Sequence, residues 1–278
     1  MPQLRSAMPA HEVGILFSYD QEYAISIQPH HPHLGYANHL MTYYKAFHRG
    51  NIPVDFVPTN GHWSSYKALI APLQYLNCSE WTQNLLAYAE QGGALVLTMR
   101  AGVKNLNNNC LTDAELPVGF TEAAGLVVDE YDCLREIDNS VSWAGTSYAC
   151  HKWCDIPRVT TAETLAVYEN EFYAGTAAIT RNAYGKGCVY YVGTEMGDEL
   201  AIRFAEDLTC TAKLRSLGAT NAGVELVQRS TQSTAFLFAL NHTGAEQPLK
   251  IASKWQLIVG KGDDNLAPYE GRIYCSAR

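Results

Sequence analysis

Nothing in this 278-residue sequence marks a nucleic-acid surface, a membrane span or a secretory leader. Only 20 residues are Lys or Arg against 28 Asp or Glu, a formal charge of −8 with no basic cluster to neutralise phosphates. No apolar run approaches the ~20 residues that a membrane span requires. The first ten residues, MPQLRSAMPA, lack the apolar core of a secretory signal. The expected compartment is therefore the cytoplasm, with neither nucleic acid nor membrane as partner.

Repeated cysteine spacing is missing too. The eight cysteines (Cys78, Cys110, Cys133, Cys150, Cys154, Cys188, Cys210 and Cys275) are scattered, and in a reducing compartment they behave as small buried hydrophobes. One cluster, Cys150-His151-Lys152-Trp153-Cys154, offers two thiols and an imidazole for zinc, but no second pair follows at finger-like spacing. His30, His31 and His33 are close enough to share an ion, yet Pro29 and Pro32 beside them favour a surface loop. Asn77-Cys78-Ser79 and Asn241-His242-Thr243 match the glycosylation triplet, which means nothing without secretion. The cysteines are expected to be structural, and no residue is assigned as a metal ligand or cofactor contact.

What is present is an ordinary globular composition, 47% hydrophobic and 17% charged, with length for one large domain or two modest ones. Val13 to Ser18 is a short apolar run of the kind that forms a buried parallel strand, Val54 to Val57 is an extended piece, and Tyr66 to Ala71 and Ala94 to Thr98 are further strands. A polar loop follows the first. His39 to His48 then repeats Leu40, Tyr43, Tyr44 and Phe47 at helical spacing and stops at Gly50. A second helix starts at Ser79 as its cap, runs through Trp81, Leu85, Leu86 and Tyr88, and ends at Gly92-Gly93. Strand and helix alternate at βα spacing, which predicts an α/β domain with a doubly wound parallel sheet.

Asn105 to Pro117 is a polar, turn-rich loop of the kind that carries partner contacts. Leu126 to Thr161 shows short strands without a clear period. Ala177 to Asn182 and Cys188 to Gly193 flank the turn Tyr184-Gly185-Lys186-Gly187 as a hairpin. Asp198 to Leu208 is a helix, closing a domain over residues 11–211. After a linker at 212–221 come short alternating runs: Val224 to Gln228, Ala235 to Asn241, Leu249 to Ala252, Trp255 to Val259 and Arg272 to Cys275. Turns such as Gly262-Asp263-Asp264-Asn265 separate some of them. Residues 222–278 are expected to form a small antiparallel β domain, near the lower size for independent stability.

Several stretches resemble family-42 β-galactosidases in the region after their catalytic barrel. They are ILFSYDQEYAISIQP (15–29), YYKAFHRGNIPVDFV (43–57), YKALIAPLQYL (66–76), GGALVLTMRAGV (92–103), WCDI (153–156), YENEFYAGTAAITRNAYGKGCVYYVGT (168–194), LFALNHT (237–243) and LAPYEGRIY (266–274). They keep the family's order and extend almost from end to end. The resemblance implies a Rossmann-like domain of the class I glutamine-amidotransferase type that holds the enzyme as a homotrimer, followed by the C-terminal β domain. It also implies that both catalytic glutamates lie on a TIM barrel preceding this region. A barrel needs about 250 residues, so it is expected to be absent here and supplied, if at all, by a separate chain. The galactoside would then be a ligand only in the barrel's company.

The candidate chemistries are weighed on this background. Asn170-Glu171 has the form of the barrel's acid/base pair, but its surroundings match the assembly domain. Asp20/Glu22, Asp129/Glu130/Asp132 and Asp198/Glu199 read as strand-end and helix-start residues. An amidotransferase needs a cysteine on the turn after a strand and a His/Glu pair from a later loop. The turn after Thr98 reads Met99-Arg100-Ala101-Gly102, and the later loop Thr194-Glu195-Met196-Gly197 has a glutamate without a histidine. The turn at 184–187 joins strands and opens no helix, unlike a phosphate loop. Trp63, Tyr75, Trp81, Trp143, Trp153 and Tyr173 are the rings on which a sugar could stack. Three readings result: a non-catalytic assembly module, an amidotransferase-like small-molecule hydrolase, or a stand-alone carbohydrate-binding module. The first is preferred, with no catalytic residue assigned.

Overall fold

Apolar runs without polar alternation make strands buried on both faces, and the computed structural model, which describes residues 2–135, 137–262 and 264–277, places them together towards one end of a large sheet. The chain opens with α1 (Pro2–Arg5), β1 (Met8–Pro9), β2 (Val13–Phe17), α2 (Tyr19–Ile27), α3 (Tyr36–Arg49), β3 (Val54–Pro58), β4 (Ala68–Ala71), α4 (Ser79–Glu90) and β5 (Ala94–Thr98). It continues with α5 (Thr121–Ala124), β6 (Leu126–Asp132), β7 (Asn139–Trp143), β8 (Thr146–Val159), β9 (Glu163–Tyr168), β10 (Ala177–Tyr184), β11 (Gly187–Val192), β12 (Thr194–Met196) and α6 (Asp198–Ala212). β13 (Val224–Ser230), β14 (Thr234–Asn241), β15 (Gln247–Pro248), β16 (Gln256–Val259), β17 (Asn265–Leu266) and β18 (Gly271–Ala277) follow.

Among the described residues the large sheet has 11 strands and is mixed. β3, β2, β4, β5 and β11 are parallel neighbours in that order. β10, β9, β7, β8 and β12 extend it in antiparallel pairs, with β6 on β8. Side chains alternate between two cores. Ile15, Ile70, Val96 and Tyr190 meet Tyr43 and Phe47 of α3 and Phe204 and Leu208 of α6, whereas Leu16, Leu69, Leu95 and Tyr191 meet Leu85 of α4 and Ala123 of α5. Each large apolar side chain buried this way stabilises by roughly 1.5–3 kcal/mol. The β10–β11 hairpin packs against the end of α4. A Cβ at Gly187 would sit 2.2 Å from the Gly93 carbonyl oxygen, so only glycine fits there.

The second sheet is antiparallel, in the order β1-β13-β14-β18-β16. Its outer member β1 comes from the start of the chain, pairing Met8 with Ser230 and Pro9 with Arg229. Val224, Leu226, Leu237, Ala239, Leu249, Leu266 and Tyr274 form its core.

The structure corrects several sequence expectations. The polar stretch after β2 is a helix, α2, capped by Ser18 Oγ accepting from Asp20 N. Ser79 is inside α4, and Cys78 precedes it without a side-chain cap. The middle section contains one long strand, β8, of 14 residues. Leu249 to Ala252 is not a strand; Leu249 N bonds instead to the Asp264 carbonyl at 2.8 Å. The expected turn at 262–265 includes Asp263, which lies outside the described residues.

Candidate functional site

Open parallel sheets present ligands at the carboxyl ends of their strands, where chain turns converge. Here β4 runs into Leu73 and β5 into Arg100, both with left-handed backbone (φ 42° and 62°). Thr98, the last residue of β5, is the hub. Its Oγ1 accepts the Leu73 backbone N–H at 2.7 Å and lies 3.1 Å from Nε2 of His39 on α3. Nδ1 of His39 contacts Oε2 of Glu195 on β12, and Lys152 Nζ bonds the other Glu195 oxygen at 3.2 Å. His39, Thr98 and Glu195 are all buried. Burial pushes the Glu195 carboxyl up, but His39 and then Lys152 outweigh it and hold it below the usual carboxylate range.

Glu195 therefore has a histidine after all. It comes from α3, far back in the sequence, not from the 194–197 loop. Hydroxyl, imidazole and carboxylate stand in the order of a nucleophilic relay. Thr98 is nevertheless fully buried, and its oxygen already takes the Leu73 N–H, so a carbonyl cannot reach it. The arrangement cross-links α3, β5, β8 and β12. A cleft of about 450 Å³ beside it is lined by Lys152, Asp198 and Glu199, and a larger groove of about 880 Å³ lies at the opposite strand ends, near Trp63, Tyr88 and Lys186.

Asp155 on β8 anchors the turn after β5. Its Oδ2 accepts from Arg100 N at 2.9 Å and Tyr191 OH at 2.6 Å, and its Oδ1 from Trp153 Nε1 at 2.8 Å. Burial pushes this carboxyl up, against the pull of the Tyr191 and Trp153 donors. The invisible signal in the sequence was long-range pairing. Neither His39 nor Asp155 has a local motif that announces it.

Other sequence candidates are dispersed. Glu171 is exposed in the turn after β9, with φ 69°. Cys150 and Cys154 are buried, whereas His151 turns to the surface and pairs with Asp138 at 2.7 Å. The hydrogen bond to Cys154, with burial, pushes the Cys150 thiol up. Among the described residues no three His, Cys, Asp or Glu side chains gather as a metal-holding group. Residues 30–33 form a loop in which His33 is exposed and His31 is buried, the Nδ1 of His31 accepting from His33 N at 3.0 Å. Asn77 and Asn241 are buried and hydrogen-bonded. Asp20/Glu22 and Asp198/Glu199 occupy the first turns of α2 and α6. Of the six candidate sugar-stacking rings, Trp81 is half-buried and the rest are buried. The exposed aromatic rings are others: Tyr19, Tyr23, Phe56, Tyr131, Phe172 and Tyr269. No helix is long and apolar enough to cross a membrane among the described residues.

Comparison with known proteins adds to this geometry. The model of the β-galactosidase trimerisation domain matches residues 11–215, and that of the β-galactosidase C-terminal domain matches 223–274. The chain is 36% identical over 233 residues to β-galactosidase BgaA of Clostridium cellulovorans, covering 84% of this chain and 35% of the relative. It is 30% identical over 243 residues to BgaB of a Geobacillus species, covering 86% and 36%. It thus spans about a third of the length of these relatives. The crystal structure of the β-galactosidase from Bacillus circulans sp. alkalophilus superposes with a TM-score of 0.92 at 26% identity, over 98% of this chain and 42% of that one. The enzyme of the Antarctic haloarchaeon Halorubrum lacusprofundi superposes with 0.86 at 25%, over 95% and 39%. The chain belongs to the family-42 β-galactosidases, of which it carries the trimerisation domain and the C-terminal domain.

Proposed function

We propose that the chain is the assembly and C-terminal portion of a β-galactosidase that acts on terminal β-D-galactosides only together with a catalytic barrel. The observation that carries this is the pair of consecutive domain matches, 11–215 and 223–274, over a chain about a third as long as its relatives. On this reading residues 11–211 form a doubly wound, Rossmann-like domain of the amidotransferase type, supported by five parallel strands with helices on both faces. Residues 222–278 form the small β domain. The chain works in the cytoplasm as a homotrimer, and no residue in it is catalytic, cofactor-binding or metal-binding.

Exposed apolar surface supports assembly. α2 turns Tyr19, Tyr23 and Ile27 outward at i, i+4, i+8 spacing, each more than 60% exposed. Such a stripe on an isolated chain marks a surface that is covered elsewhere.

Sedimentation equilibrium at micromolar concentration tests the reading. The expected mass is three chains of 30.7 kDa; a single-chain mass across the concentration range overturns it. The purified chain is expected not to hydrolyse a chromogenic galactoside, because on this reading the acid and nucleophile belong to the barrel. Turnover abolished by Glu171→Gln with the fold intact would transfer catalysis to this chain.

A further inference from the structure

Arg100 is only 6% exposed, yet two of its guanidinium nitrogens have no hydrogen-bond partner among the described residues. Three rings surround it, with Trp153 at 4.3 Å, Tyr75 at 4.8 Å and Tyr131 at 5.7 Å from ring centroid to the guanidinium carbon. Aromatic faces attract the charge but take up few of its donors. Nε and Nη1 of Arg100 are buried without a hydrogen-bond partner. Lys104, 5% exposed, lies 5.2 Å from the same Tyr75 ring and bonds the neutral Gln28 Oε1 at 3.0 Å. Two cations thus share one tyrosine. The Tyr75 hydroxyl and Nε2 of His30, whose ring packs edge-on against Trp153 at 5.6 Å, are also buried without partners.

Burying an uncompensated cation is costly, and two side by side cost more. Asp155 is near enough for its carboxyl to feel the Arg100 charge, but its oxygens are bound to the Arg100 backbone, Tyr191 and Trp153 rather than to the guanidinium, whose own donors stay unpaired. We propose that Arg100, Lys104, His30 and Tyr75 form a receptor for an oxyanion, a carboxylate or a phosphate, at the carboxyl end of β5. A water molecule would satisfy one or two donors and add no negative charge beside Lys104, whose hydrogen-bond partner Gln28 is neutral. An oxyanion accepts from all four groups and neutralises the cluster. Tyr131, one of the three rings around the guanidinium, stacks on Trp153 and is 57% exposed. The anion is either a free small molecule or an Asp or Glu side chain of a second copy. The inference rests on these residues alone and not on the assembly reading.

The test uses the whole chain, with ionic strength held constant by chloride. Inorganic phosphate and acetate are titrated while tryptophan fluorescence and melting temperature are followed. A free oxyanion gives a saturable fluorescence change and a rise in melting temperature of about 2–5 °C. Arg100→Gln abolishes both, and Lys104→Met weakens affinity about tenfold. Should Arg100→Gln fail to fold, Lys104→Met and His30→Gln carry the comparison. If the carboxylate belongs to a second copy, the titrations are flat, and the same variants dissociate the oligomer in sedimentation. Flat titrations with unchanged mass in the variants overturn the proposal, as does an anion response that persists in all of them.

Discussion

Asn51 Oδ1 accepts the backbone N–H of Leu226 at 2.8 Å, joining the end of α3 to β13 across 175 residues of chain. The same side chain donates to Gly218 O at 3.0 Å and Thr220 Oγ1 at 2.7 Å, and the Asn51 backbone carbonyl receives Leu217 N at 2.9 Å. Its backbone is left-handed, φ 49°, a conformation asparagine adopts more readily than most residues. Asn51→Ala should therefore cost about 2–4 kcal/mol, because one buried and two part-buried partners lose their bonds and the backbone is strained. Asn51→Asp keeps the acceptor for Leu226 and should cost less. Urea unfolding of both variants checks the order; equal loss would show that the Leu226 bond is not the important one.

The Thr98 hub gives a second expectation. Thr98→Val keeps the shape but leaves the Leu73 N–H and one His39 nitrogen unpaired in the core, a loss of about 2–4 kcal/mol. Thr98→Ser retains the oxygen and should recover most of that stability. Denaturant midpoints of the pair decide the matter, and a valine variant as stable as wild type would dissolve the hub.

Acid sensitivity should trace to His30. Burial first, then Arg100 and Lys104, lower its pKa from 6.5 to about 4. Between these values the unfolded imidazole is protonated and the folded one is not. Stability must therefore fall as pH drops from 6.5 towards 4, by about 1–2 kcal/mol after discounting for partial exposure. His30→Gln should flatten that limb. Glu195, depressed in the fold, loses its contribution lower still, as pH falls below 4.5 through its folded value. Melting curves from pH 7 to pH 4 distinguish the two; a histidine-free limb with unchanged slope removes His30 from the account.

Chelators should leave the melting temperature unchanged. Cys150 and Cys154 face the apolar core while His151 pairs with Asp138 outside it, so the three cannot share an ion. Stoichiometric zinc in purified protein, released together with the fold by a chelator, would reverse this.

The parallel strands were legible because a strand buried on both faces leaves an unbroken apolar run, as in VGILF and ALVLT. α2 was not, because it lacks the amphipathic stripe that sequence reading relies on. It buries Gln21 beside Ala24 and Ile25 and exposes Tyr19, Tyr23 and Ile27, so its largest apolar residues point away from the core. β8 escaped because Lys152, with φ 64°, interrupts the alternation in mid-strand. The turn after Thr98 was read at the right place, but the partners that matter there come from elsewhere in the chain: His39 for Glu195, and Asp155 for the backbone of Arg100. Nothing local records such pairings.

The pairing of β1 with β13 means that the order of covalent connection is not the order of attachment. Residues 8–9 belong to the sheet of the far unit, and Arg229 holds the Ala7 carbonyl at 2.9 and 2.7 Å from two of its nitrogens. A protease that nicks the exposed connection around residues 219–222 would cut the backbone without releasing the last unit. The two fragments should travel together on a native gel and part only in denaturant, and separately expressed halves should find each other on mixing.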